Sequence, residues 1–373
     1  MSSLATAPPE LDGAVEPVLR RGQHTHAQIV GVATANSGQR YSQQMVLDLF
    51  KVQDKRIRSV FLNGGIQTRY LTLPRFAPDG RHLDESQGEL LAKHSTQGVA
   101  MAMRALRACL DQAGARLEDL RYLCCVTTTG LLTPGLSALV CRELDLPRHC
   151  SRLDVVGMGC NAGLNGLGAV NNWARANPGQ LAVVLCVEVC SAAYIFDDNI
   201  ETAVVNSLFG DGAAAVAVVA APPARWSGPT LLKFASRLIP ENIGAMRFDW
   251  DDHHGKFNFY LDRDVPYVIG SHAELVIDTL LSGTGLHRKD IAHWIVHSGG
   301  KKVIDAIRIN LGLSKHDLRH TTQVLADYGN LSSGSFLFSY QRLLEEDVAV
   351  PGDFAVMMTM GPGTTIELAL MQW

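Results

Sequence analysis

A cysteine, a histidine and an asparagine, each beside a glycine turn, are the residues of this chain whose types and settings suit covalent chemistry. Cys160 stands in Gly157-Met158-Gly159-Cys160-Asn161-Ala162-Gly163, after a short apolar run over 153–156 and before the amphipathic stretch Ala162–Ala176. This order predicts a thiol at a helix N-terminus, where unpaired N–H groups and the positive end of the helix dipole lower its pKa and favour thiolate. A thiolate there is a nucleophile at neutral pH, and the small flanking residues admit a substrate. A buried structural cysteine is the alternative for any single cysteine, and the rest of the chain decides.

Acyl transfer on a cysteine needs a basic or cationic partner and donors for the developing oxyanion. Trp294-Ile295-Val296-His297-Ser298-Gly299-Gly300 reads as a buried strand that ends in histidine and enters a Gly-Gly turn and a helix. Asp327-Tyr328-Gly329-Asn330-Leu331-Ser332-Ser333-Gly334 delivers an asparagine just before another helix. Taken singly, the first reads as structural and the second as a turn residue. Together, in the order Cys, His, Asn, they point to acyl chemistry. A papain-like hydrolase runs in the same order, but here the cysteine lies mid-chain in a glycine turn with no aromatic after it.

The elements that must position these residues follow from periodicity. Strands are expected at 28–33, 122–127, 181–187 and 213–219, then at 293–297, 355–359 and 365–370. Helices are expected at 43–50 capped by Ser42, 86–113, 134–144 opening on Pro134, 162–176, 265–282, 301–311 and 335–346. Alternating strands and helices predict a layered α/β architecture. Both halves close on a helix and an apolar strand pair, a sign of internal duplication. Pro222-Pro223 marks the divide, giving an N-terminal half over 26–222 with the nucleophile and a C-terminal half over 223–373 with His297 and Asn330. Residues 1–25, rich in Pro, Ala and charge, read as a flexible arm.

A chain of 373 residues with 47% hydrophobic content buries a large core. A net charge of −4 with no basic run gives no reason to expect nucleic acid. The longest apolar runs, at 181–187 and 213–221, are too short to span a bilayer, and the N-terminal stretch lacks a signal-peptide pattern. Eight cysteines without a CxxC pair argue against disulfides and zinc and for a reducing, cytoplasmic setting. Asp249-Trp250-Asp251-Asp252-His253-His254-Gly255 reads as an acidic loop and not a metal site, since adjacent histidines do not converge on one ion.

Over about residues 28–373 the chain resembles the thiolase-fold condensing enzymes, and among them the type III polyketide synthases. The resemblance rests on Gly65-Ile66-Gln67-Thr68-Arg69-Tyr70, Thr127-Thr128-Thr129-Gly130, the Cys160 turn and Leu208-Phe209-Gly210-Asp211-Gly212-Ala213-Ala214-Ala215. It continues through Asp264-Val265-Pro266, the His297 and Asn330 segments and Gly361-Pro362-Gly363-Thr364-Thr365-Ile366-Glu367. It implies an αβαβα layered fold of two similar halves, a homodimer, coenzyme A thioesters as substrates and no other cofactor or carrier protein. It makes Cys160 the nucleophile, His297 and Asn330 the oxyanion and decarboxylation donors, and Phe209 and Phe259 gatekeepers between a coenzyme A tunnel and a cavity. Thr128 and Ser332 fall at cavity positions.

Several departures bear on the substrate. Thr133 stands where plant enzymes place a methionine that reaches into the partner's cavity, and Val205 replaces a cavity glycine. The segment between Glu188 and Phe209 is also shortened, so a bulky aromatic starter is disfavoured. Arg56 matches one basic coenzyme A position while Ser59 and Asn63 replace two others. Gly299, Gly300, Lys301 and Lys302 offer a further phosphate-binding turn. Within the family the resemblance is to the bacterial enzymes that make 3,5-dihydroxyphenylacetyl-CoA from four malonyl-CoA units. Tetrahydroxynaphthalene, alkylresorcinol or pyrone formation, and a ketoacyl-carrier-protein synthase of the third type, are the alternatives.

Overall fold

The computed structural model describes residues 26–36, 38–223 and 226–373, so the expected arm over 1–25 lies outside the described residues. Its strands are β1 (Ala27–Ala35), β2 (Gln39–Ser42), β3 (Thr68–Leu71), β4 (Leu120–Thr127), β5 (Ser151–Val156), β6 (Leu181–Glu188) and β7 (Gly212–Ala220). They continue with β8 (Thr230–Leu238), β9 (Met246–Asp251), β10 (Lys256–Leu261), β11 (Ile291–Val296), β12 (Phe354–Gly361) and β13 (Thr365–Gln372). The helices are α1 (Gln43–Leu49), α2 (Lys55–Asn63), α3 (Gln87–Gln112), α4 (Leu136–Glu143), α5 (Ala162–Ala176), α6 (Ile200–Leu208), α7 (Val265–Leu281), α8 (Lys301–Asn310), α9 (Arg319–Tyr328) and α10 (Ser335–Glu346).

One sheet runs β11-β12-β13-β8-β1-β7-β6-β4-β5, and β2-β3 and β9-β10 are separate hairpins. On one side β4 lies parallel to β5 and β6, after which β7 and β1 are antiparallel. On the other side β11 is parallel to β12, and β13 and β8 are antiparallel. The two sides therefore repeat one strand pattern. They meet where Ala27 pairs with Leu231 and Gln28 with Thr230. Pro222 and Pro223 fall on the crossover between β7 and β8.

Helices α5 and α10 form the middle layer, because each packs against strands of both sides. Helix α3 covers the outer face of β1, β6 and β7, and α7 covers β8 and β13. Strands β6 and β7, covered on both faces, are buried at every position, which is why their sequences are unbroken apolar runs. Helix α5 carries glycine where neighbours press closest: a Cβ at Gly166 would stand 2.9 Å from Val126. Ser42 caps α1, accepting from the Met45 N–H at 3.1 Å, and Ser86 with Glu89 forms a capping box on α3.

Two local expectations are corrected. Pro134 does not open α4: the helix begins at Leu136 with Gly135 as its N-cap, so the proline belongs to the preceding loop. Asp249–Gly255 is not wholly a loop, because its first three residues complete β9 and pair across the hairpin with β10. No helix among the described residues is long and apolar enough to cross a membrane.

Candidate active site

Cys160 lies in a 3-10 turn, Gly159–Asn161, that leads directly into α5. Close backbone approach fixes that turn. Gly159 has φ +73°, and a Cβ there would stand 2.3 Å from the Pro362 ring; a Cβ at Gly163 would stand 2.2 Å from the Ser333 carbonyl oxygen. The glycines therefore seat Cys160 against the loop that follows Asn330. The Cys160 Sγ lies 3.7 Å from the Ser332 hydroxyl, within sulfur hydrogen-bond reach.

Asn330 is held on three sides. Its N–H donates to the Leu208 carbonyl at 2.9 Å and its carbonyl accepts from the Gly210 N–H at 3.0 Å, so it runs parallel to Phe209. Its Oδ1 accepts from the Ser332 N–H at 2.8 Å and the Ser335 hydroxyl at 3.4 Å. That leaves the Nδ2 as the free donating end, 3.5 Å from the Gly299 carbonyl. His297 follows β11, its N–H donating to the Met358 carbonyl at 2.8 Å. Its side chain is buried, with Nδ1 lacking a partner. Gly299 packs on the imidazole: a Cβ there would stand 3.1 Å from its Cδ2. The sequence-expected histidine and asparagine segments are thus brought side by side, with the cysteine loop sharing Ser332.

The thiolate expectation is corrected. Burial pushes the Cys160 thiol up to about 12, with the Glu188 charge adding to the rise. Hydrogen bonds from Ser332 and Asn330 pull the other way but are outweighed. Burial also holds His297 down, to about 3. Both shifts come chiefly from desolvation, which favours the neutral thiol and the neutral imidazole.

Cys160 opens onto a cavity lined by Thr128, Thr129, Cys190, Tyr194, Val205, Phe209, Phe259 and Ser332 among others. The Phe209 and Phe259 rings meet edge to face, centroids 5.6 Å apart, as an expected pair of gatekeepers would. Val205, on α6 one turn before Phe209, is buried and fills cavity space. Thr133 is exposed and is not among the residues lining the cavity of its own chain. Arg56 lies exposed in the first turn of α2, 3.3 Å from Asp54. Lys301 and Lys302 are exposed at the start of α8, with the Lys301 stem 3.5 Å from the Cβ position of Gly65. Arg56 is thus at the end of α2 away from the two lysines. His254 bonds Asp251 at 2.8 Å, and no cluster of three metal-ligating side chains occurs among the described residues.

Sequence reading missed three supporting groups. Glu188 is fully buried; it accepts from the Thr128 N–H at 3.0 Å, the Thr129 N–H at 3.2 Å and the Ser333 hydroxyl at 2.6 Å. It ties the Thr128 wall to the loop after Asn330, and burial raises its pKa. A single carboxylate closing an apolar strand was its only signal. Tyr194 lines the cavity, and no periodicity marked it.

His94 is the third. It is buried behind the Thr128 loop, Nδ1 3.2 Å from the Thr129 hydroxyl, and burial lowers its pKa to about 4. The unfolded chain binds a proton here near pH 6.5 and the fold does not, so this stability is whole above pH 6.5 and is lost as pH falls toward 4. Between pH 7 and 5 the loss is about 2 kcal/mol. The unfolding temperature is expected to drop over that range, and to drop less in His94→Asn; an equal drop in the variant contradicts the assignment.

Residues 27–222 match the N-terminal domain, and residues 232–373 the C-terminal domain, of chalcone and stilbene synthases. The chain is 62% identical over 350 residues to 3,5-dihydroxyphenylacetyl-CoA synthase of Streptomyces toyocaensis, covering 93% of this chain and 90% of that protein. It is 62% identical over 346 residues to the protein of the same name from Amycolatopsis orientalis, covering 93% of each. The crystal structure of PKS-I from the brown alga Ectocarpus siliculosus superposes with a TM-score of 0.85 at 25% identity, over 95% of this chain and all of that one. The repeated sheet, the central helices and these likenesses agree: this chain belongs to the chalcone and stilbene synthase family, the type III polyketide synthases, acyltransferases of the thiolase fold.

Proposed function

We propose that this enzyme joins four malonyl-CoA units on Cys160, one as starter and three as extenders, and closes the chain to 3,5-dihydroxyphenylacetyl-CoA. The observation that carries this reading is the pocket walled by Val205, Phe209, Phe259 and Tyr194, with Cys160 among its lining residues. Val205 takes up space that a glycine would leave open, which suits a short malonyl-derived chain better than an aromatic starter. The names of the 62% identical relatives point the same way.

In this reading His297, neutral at rest, takes the thiol proton as Cys160 attacks the starter thioester, and coenzyme A leaves. The Asn330 Nδ2 and His297 then donate to the thioester oxygen of the next malonyl-CoA. Loss of carbon dioxide leaves an enolate that attacks the acyl-cysteine. The apolar Phe209 ring beside the malonyl carboxylate disfavours its charge and promotes that loss. Loading of the starter and reloading of the diketide and triketide onto Cys160 release three coenzyme A. The three condensations release three carbon dioxide, and the starter carboxyl supplies the fourth. Closure of C8 onto C3 releases water and leaves the fourth coenzyme A on the product.

Gly299, Gly300, Lys301, Lys302 and Arg56 are the proposed holders of the coenzyme A phosphates. The reading takes no cofactor beyond the thioester substrates and no carrier protein, and places the enzyme in the cytoplasm. It also takes a homodimer: β5 is a sheet edge carrying half-exposed Leu153 and Val156, with Met158 beyond it, which pairing with a second copy would cover. A starter competition tests the proposal. Given malonyl-CoA and cinnamoyl-CoA together, without carrier protein, the wild type is expected to build product from malonyl units alone, and Val205→Gly to admit the aromatic starter. Cinnamoyl incorporation by the wild type would overturn it.

A further inference from the structure

Gly65-Ile66-Gln67-Thr68-Arg69-Tyr70 is set against the gate without a role of its own in the chemistry above. Arg69 is wholly buried. Its Nε and Nη2 donate to the Gln43 Oε1 at 3.1 and 2.7 Å, and its Nη1 to the Tyr194 hydroxyl at 2.8 Å. The same Nη1 lies 2.6 Å from the Asn206 carbonyl and 2.6 Å from the Phe209 carbonyl. The Tyr194 hydroxyl also donates to the Phe209 carbonyl. Every one of these acceptors is neutral. A buried guanidinium held by neutral groups alone is a costly way to fill space, and an apolar side chain would fill it more cheaply.

The arrangement has a direction. The Tyr70 carbonyl accepts from the Asp211 N–H at 2.9 Å, so β3 flanks the segment that carries Phe209, which in turn runs beside Asn330. The Arg69 stem lies under Gly329, whose Cβ would stand 2.8 Å from the Arg69 Cδ. One planar fork thus reaches the main chain of Phe209 and the cavity-lining Tyr194, while its stem fixes the turn that delivers Asn330.

We propose that Arg69, braced by Gln43 and Tyr194, is a positioning residue that keeps Phe209 and Asn330 in register, so that malonyl decarboxylation stays coupled to condensation on the growing chain. This deepens the proposed function and rests on it. The test measures acetyl-CoA and short lactones, the products of uncoupled or early-ended turnover, against full-length aromatic product from malonyl-CoA. Tyr194→Phe keeps the ring and removes the hydroxyl. Gln43→Met changes a residue that does not line the cavity; it removes the acceptor of Arg69 Nε and Nη2 together with the Gln43 Nε2 bond to the Ser207 carbonyl at 2.7 Å, so it is read beside Arg69→Lys, which leaves that last bond in place. Arg69→Lys keeps the charge and loses the fork.

The expected result is a rise of about tenfold or more in the uncoupled share for Tyr194→Phe and Gln43→Met, each of which removes more than one buried hydrogen bond, and a larger rise for Arg69→Lys. The KM for malonyl-CoA is expected to stay within about twofold, and the unfolding temperatures of the first two variants near wild type. A proportional fall of all products, with the ratio unchanged, overturns the proposal, because that is what a structural role alone produces. A wild type that makes a different condensation product refutes the proposed product; the ratio is then read on that product and judges Arg69 separately.

Discussion

Cys160→Ala is expected to abolish carbon–carbon bond formation, with turnover to aromatic product falling by roughly 10⁴-fold or more, while the protein still loses carbon dioxide from malonyl-CoA. The two steps separate because the donors proposed for decarboxylation stand on other elements than the thiol. Asn330 is fixed by Leu208, Gly210, Ser332 and Ser335, and His297 by the end of β11, none of which needs the cysteine sulfur. The truncation removes the thiol's hydrogen bonds with the Ser332 hydroxyl, 3.7 Å from Sγ, and with the Asn330 side chain, but leaves the contacts that fix Asn330. Equal loss of both activities would mean that the thiol takes part in decarboxylation, and retained condensation would remove Cys160 from its assigned role.

The second large effect falls on the donors. Asn330→Ala is expected to lower malonyl decarboxylation by roughly 10²–10³-fold, the usual consequence of losing one oxyanion donor, and to leave acylation of Cys160 much less affected. His297→Ala is expected to lose both steps, since the same imidazole accepts the thiol proton and then donates to the thioester oxygen. Radiolabelled carbon dioxide release follows the first activity, and mass spectrometry of the acylated protein follows the second. Near wild-type rates in either variant would refute these roles.

The order Cys160, His297, Asn330 was legible because each residue sits beside a glycine that lets its backbone approach a neighbour closely, as at Gly159, Gly299 and Gly329. The long elements were legible from burial: β6 and β7 are buried throughout and α10 over its first half, and their sequences show it. The polar edge strand β5 and the β9-β10 hairpin were read short or as loop, since exposed strands carry charge that masks their period.

What could not be read was the electrostatics. A helix start predicted a lowered thiol pKa, but full burial of the turn, with Glu188 tied to the next loop, raises it. Nor could spacing reveal that Arg69, Tyr194 and Glu188 come from three separate segments to brace one site. Those are long-range contacts, and a linear pattern carries no trace of them.

The measurement that bears most directly on the central claim is the mass of the product formed when the purified protein receives uniformly labelled [13C3]malonyl-CoA and nothing else. Four units and loss of four carbon dioxides predict an aromatic acyl group with eight labelled carbons, a dihydroxyphenylacetyl thioester or its free acid. A ten-carbon naphthalene, a pyrone as the main product, or no product without another starter would contradict it.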